Sequence, residues 1–233
     1  MKKKILCTIC VRKNSLELKN KNIKKINKKP LALITIQQAI KSKLFDKIVV
    51  NSDSKIIKKI CKNKISLFIN RKKKLAGNYV SKIEVIKDSL LKSEKEYNCR
   101  FDLIVDLDVT SPLRKVSDIK DAVKFFINSN FNNLISGSKA KKNPYFNQII
   151  LNKNKVNIVC KPKKRIPSRQ LAPKIYDLNA SIYIWRREKL IKSKNLIDGK
   201  TGFFEMKTEK SLDIDSELDF KLVKFILEKG LNK

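Results

Sequence analysis

Short apolar runs alternate with helix-like stretches through the first half of the chain, and this alternation restricts the fold more than any other feature. Ile5–Val11 and the runs 47–51, 65–69 and 102–107 are short, continuous and β-branched, as expected of strands covered on both faces. Between and after them, 30–43, 54–62, 80–93 and 117–128 carry helical periodicity. The order predicts an α/β fold: a Rossmann-like, doubly wound, mainly parallel sheet with right-handed crossovers. In such sheets ligands bind beyond the carboxyl ends of the strands, so the loops after strands are where chemistry is sought.

Beyond Leu134 the pattern changes. Residues 145–160 (YFNQIILNKNKVNIVC) read as a β-hairpin with its turn near Asn152 to Asn154, and a polar, Pro-bearing stretch follows at 161–174. Residues 137–175 therefore read as an insertion, a hairpin and basic arm of the kind that serves dimer contacts. A further strand is expected at 180–185. In the closing segment 211–230, Leu218, Leu222, Phe225, Ile226 and Lys229 recur at helical spacing. Ser216 reads as its N-cap and Gly230 as its stop. A length of 233 residues suits a single domain spanning 1–233.

Charge is prominent but says little about partners. The net charge is +33, yet only eight of the 55 Lys and Arg residues are arginine. A nucleic-acid binder favours arginine for its bidentate fork, and here the lysines are scattered. With abundant Asn and Ile and few glycines, the skew reads as that of an AT-rich coding sequence. No specific nucleic-acid partner is expected, although a positive field speeds the encounter with anionic ligands. The start, MKKKILCTICVR, imitates a signal peptide, but its apolar run ends at Arg12 and no cleavage site follows. It reads as a buried first strand of a cytoplasmic protein. No run approaches bilayer-spanning length. Cys7 and Cys10 form a C-x-x-C inside this strand, with no second pair and no histidine in the chain. They read as structural cysteines, and the lack of histidine excludes Ser-His-Asp, Cys-His and His-ligated metal chemistry.

Three segments hold candidate chemistry. The loop RKNSLELKNKN at 12–22 gathers cations and amides at a strand's carboxyl end, where a phosphate chain would find donors; a solvated lysine-rich loop is the alternative. In VDLDVTSPLR, 105–114, Asp106 and Asp108 follow a buried strand and suit a metal or a polar substrate; a Ser-Pro turn with a capping aspartate explains the same residues. In LDIDSELD, 212–219, Asp213 and Asp215 alternate, so an extended segment points both carboxylates one way. That spacing suits Mg²⁺, which takes one or two carboxylates plus substrate phosphates. Helix capping accounts for Glu217 and Asp219 and less well for Asp213.

These segments, in this order, resemble the CMP-sialic acid synthetases, the acylneuraminate cytidylyltransferases, over nearly the whole chain. The first reads VRKNSLELKNKN; PLALITI at 30–36, NSDS at 51–54 and TSPLR follow. NPYFN at 143–147, APKIYDLNASIYIWRR and LDIDSELDF look most like the legionaminic acid branch. The resemblance implies the nucleotide-diphospho-sugar transferase type of fold, a homodimer whose arm reaches the partner's site, and CTP, Mg²⁺ and a nine-carbon acidic sugar as ligands. It implies that Arg12, Ser15, Lys21 and Asn22 line the CTP loop, with Arg71 approaching the nucleotide. Asp108, Arg169, Asn179, Tyr183, Phe203 and Phe204 fall at positions facing the sugar, and Asp213 and Asp215 at the metal. Arg12, Lys21 and Asp213 are the expected catalytic groups. The first loop departs from the family: Lys13 and Asn14 replace two glycines, and Leu16 replaces a lysine, a cation that Lys13 or Lys19 is positioned to supply. Asn78 stands where Asp is frequent. A Kdo or pseudaminic acid cytidylyltransferase and a catalytically weakened binding homologue are the alternatives.

Overall fold

The computed structural model describes residues 3–13, 17–77, 79–162 and 166–231. Strand β1 (Ile5–Val11) leads through a loop to the short hairpin β2 (Lys25–Ile26) and β3 (Lys29–Pro30), then α1 (Leu31–Ser42). The alternation continues with β4 (Lys47–Ser52), α2 (Lys55–Cys61), β5 (Leu67–Asn70), α3 (Lys82–Tyr97), β6 (Leu103–Leu107) and α4 (Val116–Ile127). The second half comprises β7 (Asn133–Lys139), the hairpin β8 (Ile149–Asn152) and β9 (Lys155–Ile158), β10 (Tyr176–Arg186), α5 (Arg187–Lys192), β11 (Thr201–Glu205) and α6 (Glu217–Glu228).

One seven-stranded sheet runs in the order β11-β7-β10-β6-β1-β4-β5. The β5-β4-β1-β6 half is wholly parallel, and β10 alone runs antiparallel to both its neighbours, β6 and β7. The expected α/β, mainly parallel architecture is therefore present. Alternation along β1 shows why both faces are covered. Ile5, Cys7, Ile9 and Val11 enter a core shared with α1, α2, α4 and α6, whereas Leu6 enters the second core with α3 and α5. Cys7 and Cys10 are three positions apart in β1 and so lie on opposite faces, which rules out a shared metal or disulfide; all five cysteines are free.

Local chemistry sets several boundaries. Ser54 and Ser81 cap α2 and α3 by accepting from Ile57 N and Ile83 N. Helix α3 runs a turn past its expected end, to a left-handed Asn98. Ser216 caps α6 in a capping box with Asp219, and Gly230 adopts φ 66° just past the helix, both as expected. The buried face of α6 is different from the expected one. Phe220 and Val223 face the core, while Leu218, Leu222 and Phe225 are exposed. The capping box fixes where the helix starts and hence its rotation, which periodicity leaves open.

Two strands of the main sheet, β7 and β11, went unread in the sequence. Residues 137–139, expected in the insertion, belong to β7 in the sheet interior, so the arm begins beyond Lys139. The hairpin itself is present. Lys153 and Asn154 at its turn have φ of 45° and 65°, the left-handed pair of a two-residue turn matched to strand twist.

Candidate active site

The carboxyl ends of β1, β4 and β6 open onto a cleft of about 360 Å³. Register brings them level: Cys10 and Val11 pair with Asn51 and Ser52, and Thr8 with Asp106. Arg12, Lys21, Asn22, Arg71 and Lys82 line the cleft beside Asp108, Asp213 and Asp215. Residues from all three sequence segments therefore meet here.

Lys21 and Asn22 come from a 3-10 turn, Lys21–Ile23. The Asn22 amide donates to the Arg12 carbonyl at 3.0 Å, folding the loop back on the end of β1. Lys21, largely buried, donates to Asp215 Oδ1 at 2.9 Å, so the first and third segments touch across the chain. Ile214 N donates to the Thr110 carbonyl and ties the third segment to the second. Arg71 is oriented from below: its Nε and Nη2 donate to the side chain and carbonyl of Asn51 at 3.1 and 2.7 Å. Asn51 in turn donates to Asp88 and Ser89 on α3.

Asp108 is held by Thr110, whose N and Oγ1 donate to Oδ1 at 3.0 and 2.9 Å, and by Lys82, which donates to Oδ2 at 2.6 Å. Burial opposes its charge, yet Lys82 and Thr110 keep the Asp108 carboxyl well below the usual range. Asp213 has the opposite balance. Burial, with Asp108 and Asp215 nearby, pushes it up to about 6, and its buried Oδ1 has no hydrogen-bond partner. A desolvated carboxylate beside two others is a site short of positive charge, which a divalent cation fits. Among the described residues no group of three or more His, Cys, Asp and Glu is placed to hold a metal ion by itself.

The other expected residues are placed as follows. Lys13 lines an adjoining hollow that shares Arg12 and Asn22 with the cleft. Lys19 is exposed and outside the cleft lining. Asn179 is buried and spent internally: it accepts from Ser136 Oγ and Ser181 N and donates to Ser211 Oγ, so it braces the site rather than facing it. Tyr183 is buried with its ring 5.1 Å from Lys82 Nζ. Phe203 and Phe204 are consecutive on β11 and point to opposite faces, Phe203 against Tyr176 and the α3 side, Phe204 into the other core. One pocket wall cannot hold both. Ser15, with Asn14 and Leu16, lies outside the described residues, as do Asn78 and the Arg169 side chain.

Lys82 and Asn51 went unread as site residues. Lys82 opens α3, where the helix dipole disfavours a cation. That was the available signal, lost among the many lysines.

Comparison with known proteins places the chain in a family. The chain is 44% identical over 229 residues to post-translational flagellin modification protein B of Campylobacter coli, covering 97% of each. It is 43% identical over 224 residues to the CMP-N,N'-diacetyllegionaminic acid synthase of Campylobacter jejuni, covering 96% of this chain and 94% of the relative. The N-acylneuraminate cytidylyltransferase of Streptococcus agalactiae serotype III is 32% identical over 93% of this chain and 52% of its own length. Among solved structures, a CMP:2-keto-3-deoxy-manno-octonic acid synthetase complexed with CTP superposes with a TM-score of 0.71 at 13% identity, over 97% of this chain and 99% of that one. Residues 6–230 match the cytidylyltransferase family, and the chain belongs to that family.

Proposed function

We propose that the chain transfers CMP from CTP to a nine-carbon acidic sugar of the legionaminic or neuraminic type, releasing pyrophosphate. The observation that carries this reading is the cleft, where Arg12, Lys21 and Arg71 are gathered with Asp108, Asp213 and Asp215 at the carboxyl ends of parallel strands. Cations suit a triphosphate, and the carboxylates suit a metal and a polyhydroxylated acceptor. The substrate class follows the relatives named for legionaminic acid and N-acylneuraminate. The octonic acid synthetase, at 13% identity, shares the fold, and an eight-carbon acid is therefore kept as an arm of the test.

In this reading the sugar's anomeric hydroxyl attacks the α-phosphorus of CTP in line. An O–P bond forms as the bond to the bridging oxygen breaks, pyrophosphate leaves, and the hydroxyl proton is released to solvent. Arg12 and Lys21 neutralise the phosphates, and catalysis is chiefly positioning and charge stabilisation. Asp213 and Asp215 would hold Mg²⁺, with Lys21 moving from Asp215 to phosphate. The ion, when bound, supplies Lewis-acid stabilisation of phosphate oxygens.

The reading includes a homodimer. Ile149, Ile150, Leu151 and Val156 on the β8–β9 hairpin are exposed, and an apolar two-stranded arm is marginal without a partner surface. It also includes the cytoplasm, where CTP is found; among the described residues no helix is long and apolar enough to cross a membrane. The test is pyrophosphate release from CTP and Mg²⁺ with a panel of nonulosonic acids and Kdo. Turnover should appear with legionaminic or neuraminic acids. Release with Kdo alone, or with none of them, would overturn the assignment.

A further inference from the structure

Asp106 and Asp108 lie two residues apart at the end of β6, so their side chains leave the same face of the strand. Asp106 is fully buried, and only one of its oxygens has a hydrogen-bond donor, the Thr8 hydroxyl at 2.7 Å. Lys82 Nζ lies 2.9 Å from the other oxygen of Asp106 and 2.6 Å from Asp108 Oδ2. The neighbouring cations are committed elsewhere. Arg114 donates to Ser181, Gln38 and the main-chain carbonyl of Asp108, and Arg71 to Asn51. One ammonium thus serves two carboxylates, one of them out of reach of water.

Resting on the transfer reaction above, we propose that Lys82 is a positioning residue for it, acting through Asp108: its ammonium, shared with buried Asp106, fixes the Asp108 carboxylate in the cleft wall. Nζ is engaged on both carboxylates and packed over the Tyr183 ring at 5.1 Å, an arrangement of a brace rather than of a group waiting for phosphate. Burial works against the Lys82 charge, and the two aspartates outweigh it, holding the ammonium well above its usual range. Removing the ammonium sets two like charges side by side and turns Asp108 away from its place. Removing the buried charge of Asp106 at the same time relieves that repulsion, because Thr110 still holds Asp108.

The experiment compares wild type, Lys82→Met, Asp106→Asn and the double variant in CTP-dependent pyrophosphate release, with urea unfolding of each. Lys82→Met should lower kcat/KM roughly 10- to 100-fold, mostly in kcat, and the double variant should recover to within about fivefold of wild type. Unfolding should show the same coupling, the double variant being more stable than Lys82→Met. If Lys82→Met is too unstable to assay, the double variant decides alone: folded and active supports the brace, folded and inactive overturns it. A Lys82→Met defect confined to KM for CTP and unrelieved by Asp106→Asn would make Lys82 a phosphate ligand and overturn the proposal. A wild type without turnover sinks the transfer reaction itself, and the unfolding cycle still judges the ion bridge.

Discussion

Burial, with Asp108 and Asp215 close by, pushes the Asp213 carboxyl up to about 6. The metal-free folded chain therefore holds this proton more tightly than the unfolded chain, whose carboxyl titrates at about 3.9. Stability falls as pH rises from about 4 to about 6 and stays lower above that, by about 1–3 kcal/mol. Asp213→Asn removes the charge and should be the more stable protein at pH 8, with the advantage gone below about pH 4. The same substitution should cut turnover by at least about 100-fold, since it removes an expected metal ligand. Urea unfolding at several pH values, beside a turnover assay, checks both halves; normal Mg²⁺-dependent turnover in this variant would remove Asp213 from the metal site. Arg114 is the contrasting case, a buried guanidinium whose donors reach Ser181, Gln38 and the Asp108 carbonyl. Lysine cannot reproduce that fork, and Arg114→Lys should cost about 2–4 kcal/mol, read as a lowered urea midpoint.

At the scale of elements, β10 breaks register between Leu178 and Tyr183. Ala180 occupies the irregularity at φ 49°, a left-handed conformation that costs a residue with a Cβ about 1–2 kcal/mol. The strain is held by Asn179, whose side chain ties β7, β10 and Ser211 together. Ala180→Gly should stabilise the fold by roughly 1 kcal/mol, seen as a raised Tm; a lowered Tm would mean that the Ala180 methyl packs for more than its backbone costs. The capping box of α6 sits directly after Asp213 and Asp215, and it anchors the segment that carries them. Ser216→Ala should lose about 1 kcal/mol and raise the Mg²⁺ concentration needed for half-maximal turnover. A loss of stability with unchanged Mg²⁺ dependence would separate the cap from the site.

The whole molecule carries its charge on scattered lysines, so its attraction to polyanions should be generic. Binding to random DNA should be weak and vanish at moderate salt, without a preferred sequence; a titration in which one sequence survives physiological salt would contradict this. Assembly is a separate matter, because the apolar hairpin stands away from the sheet. On the proposed homodimer, replacing both Ile149 and Leu151 by Lys should give a monomer in light scattering while leaving the thermal unfolding of the main sheet in place. A wild type that is monomeric at assay concentrations would remove the arm from the dimer argument.

Several features were legible in the amino-acid order because they depend on near neighbours. The Ser216 helix cap and the β-hairpin turn are local contacts, and the buried parallel strands announce themselves by composition. The candidate segments around Arg12, Asp108 and Asp213 were legible as motifs. The unread strands β7 and β11 carry Gly137 and Gly202, which interrupt strand patterning; the space a side chain there would need is taken by the Asp177 carbonyl and Phe203 in one case and Phe131 in the other. Those neighbours are distant in sequence. The same reason hid Lys82. Its composition is that of any surface lysine, and only the packing of α3 against β1, β4 and β5 sets it beside two aspartates at the end of β6. The sequence by itself determined the alternation of elements and the residue types available to the cleft. Tertiary structure decided which of those residues face it, because orientation depends on strand register and helix rotation, and these are settled by contacts between segments up to 194 residues apart.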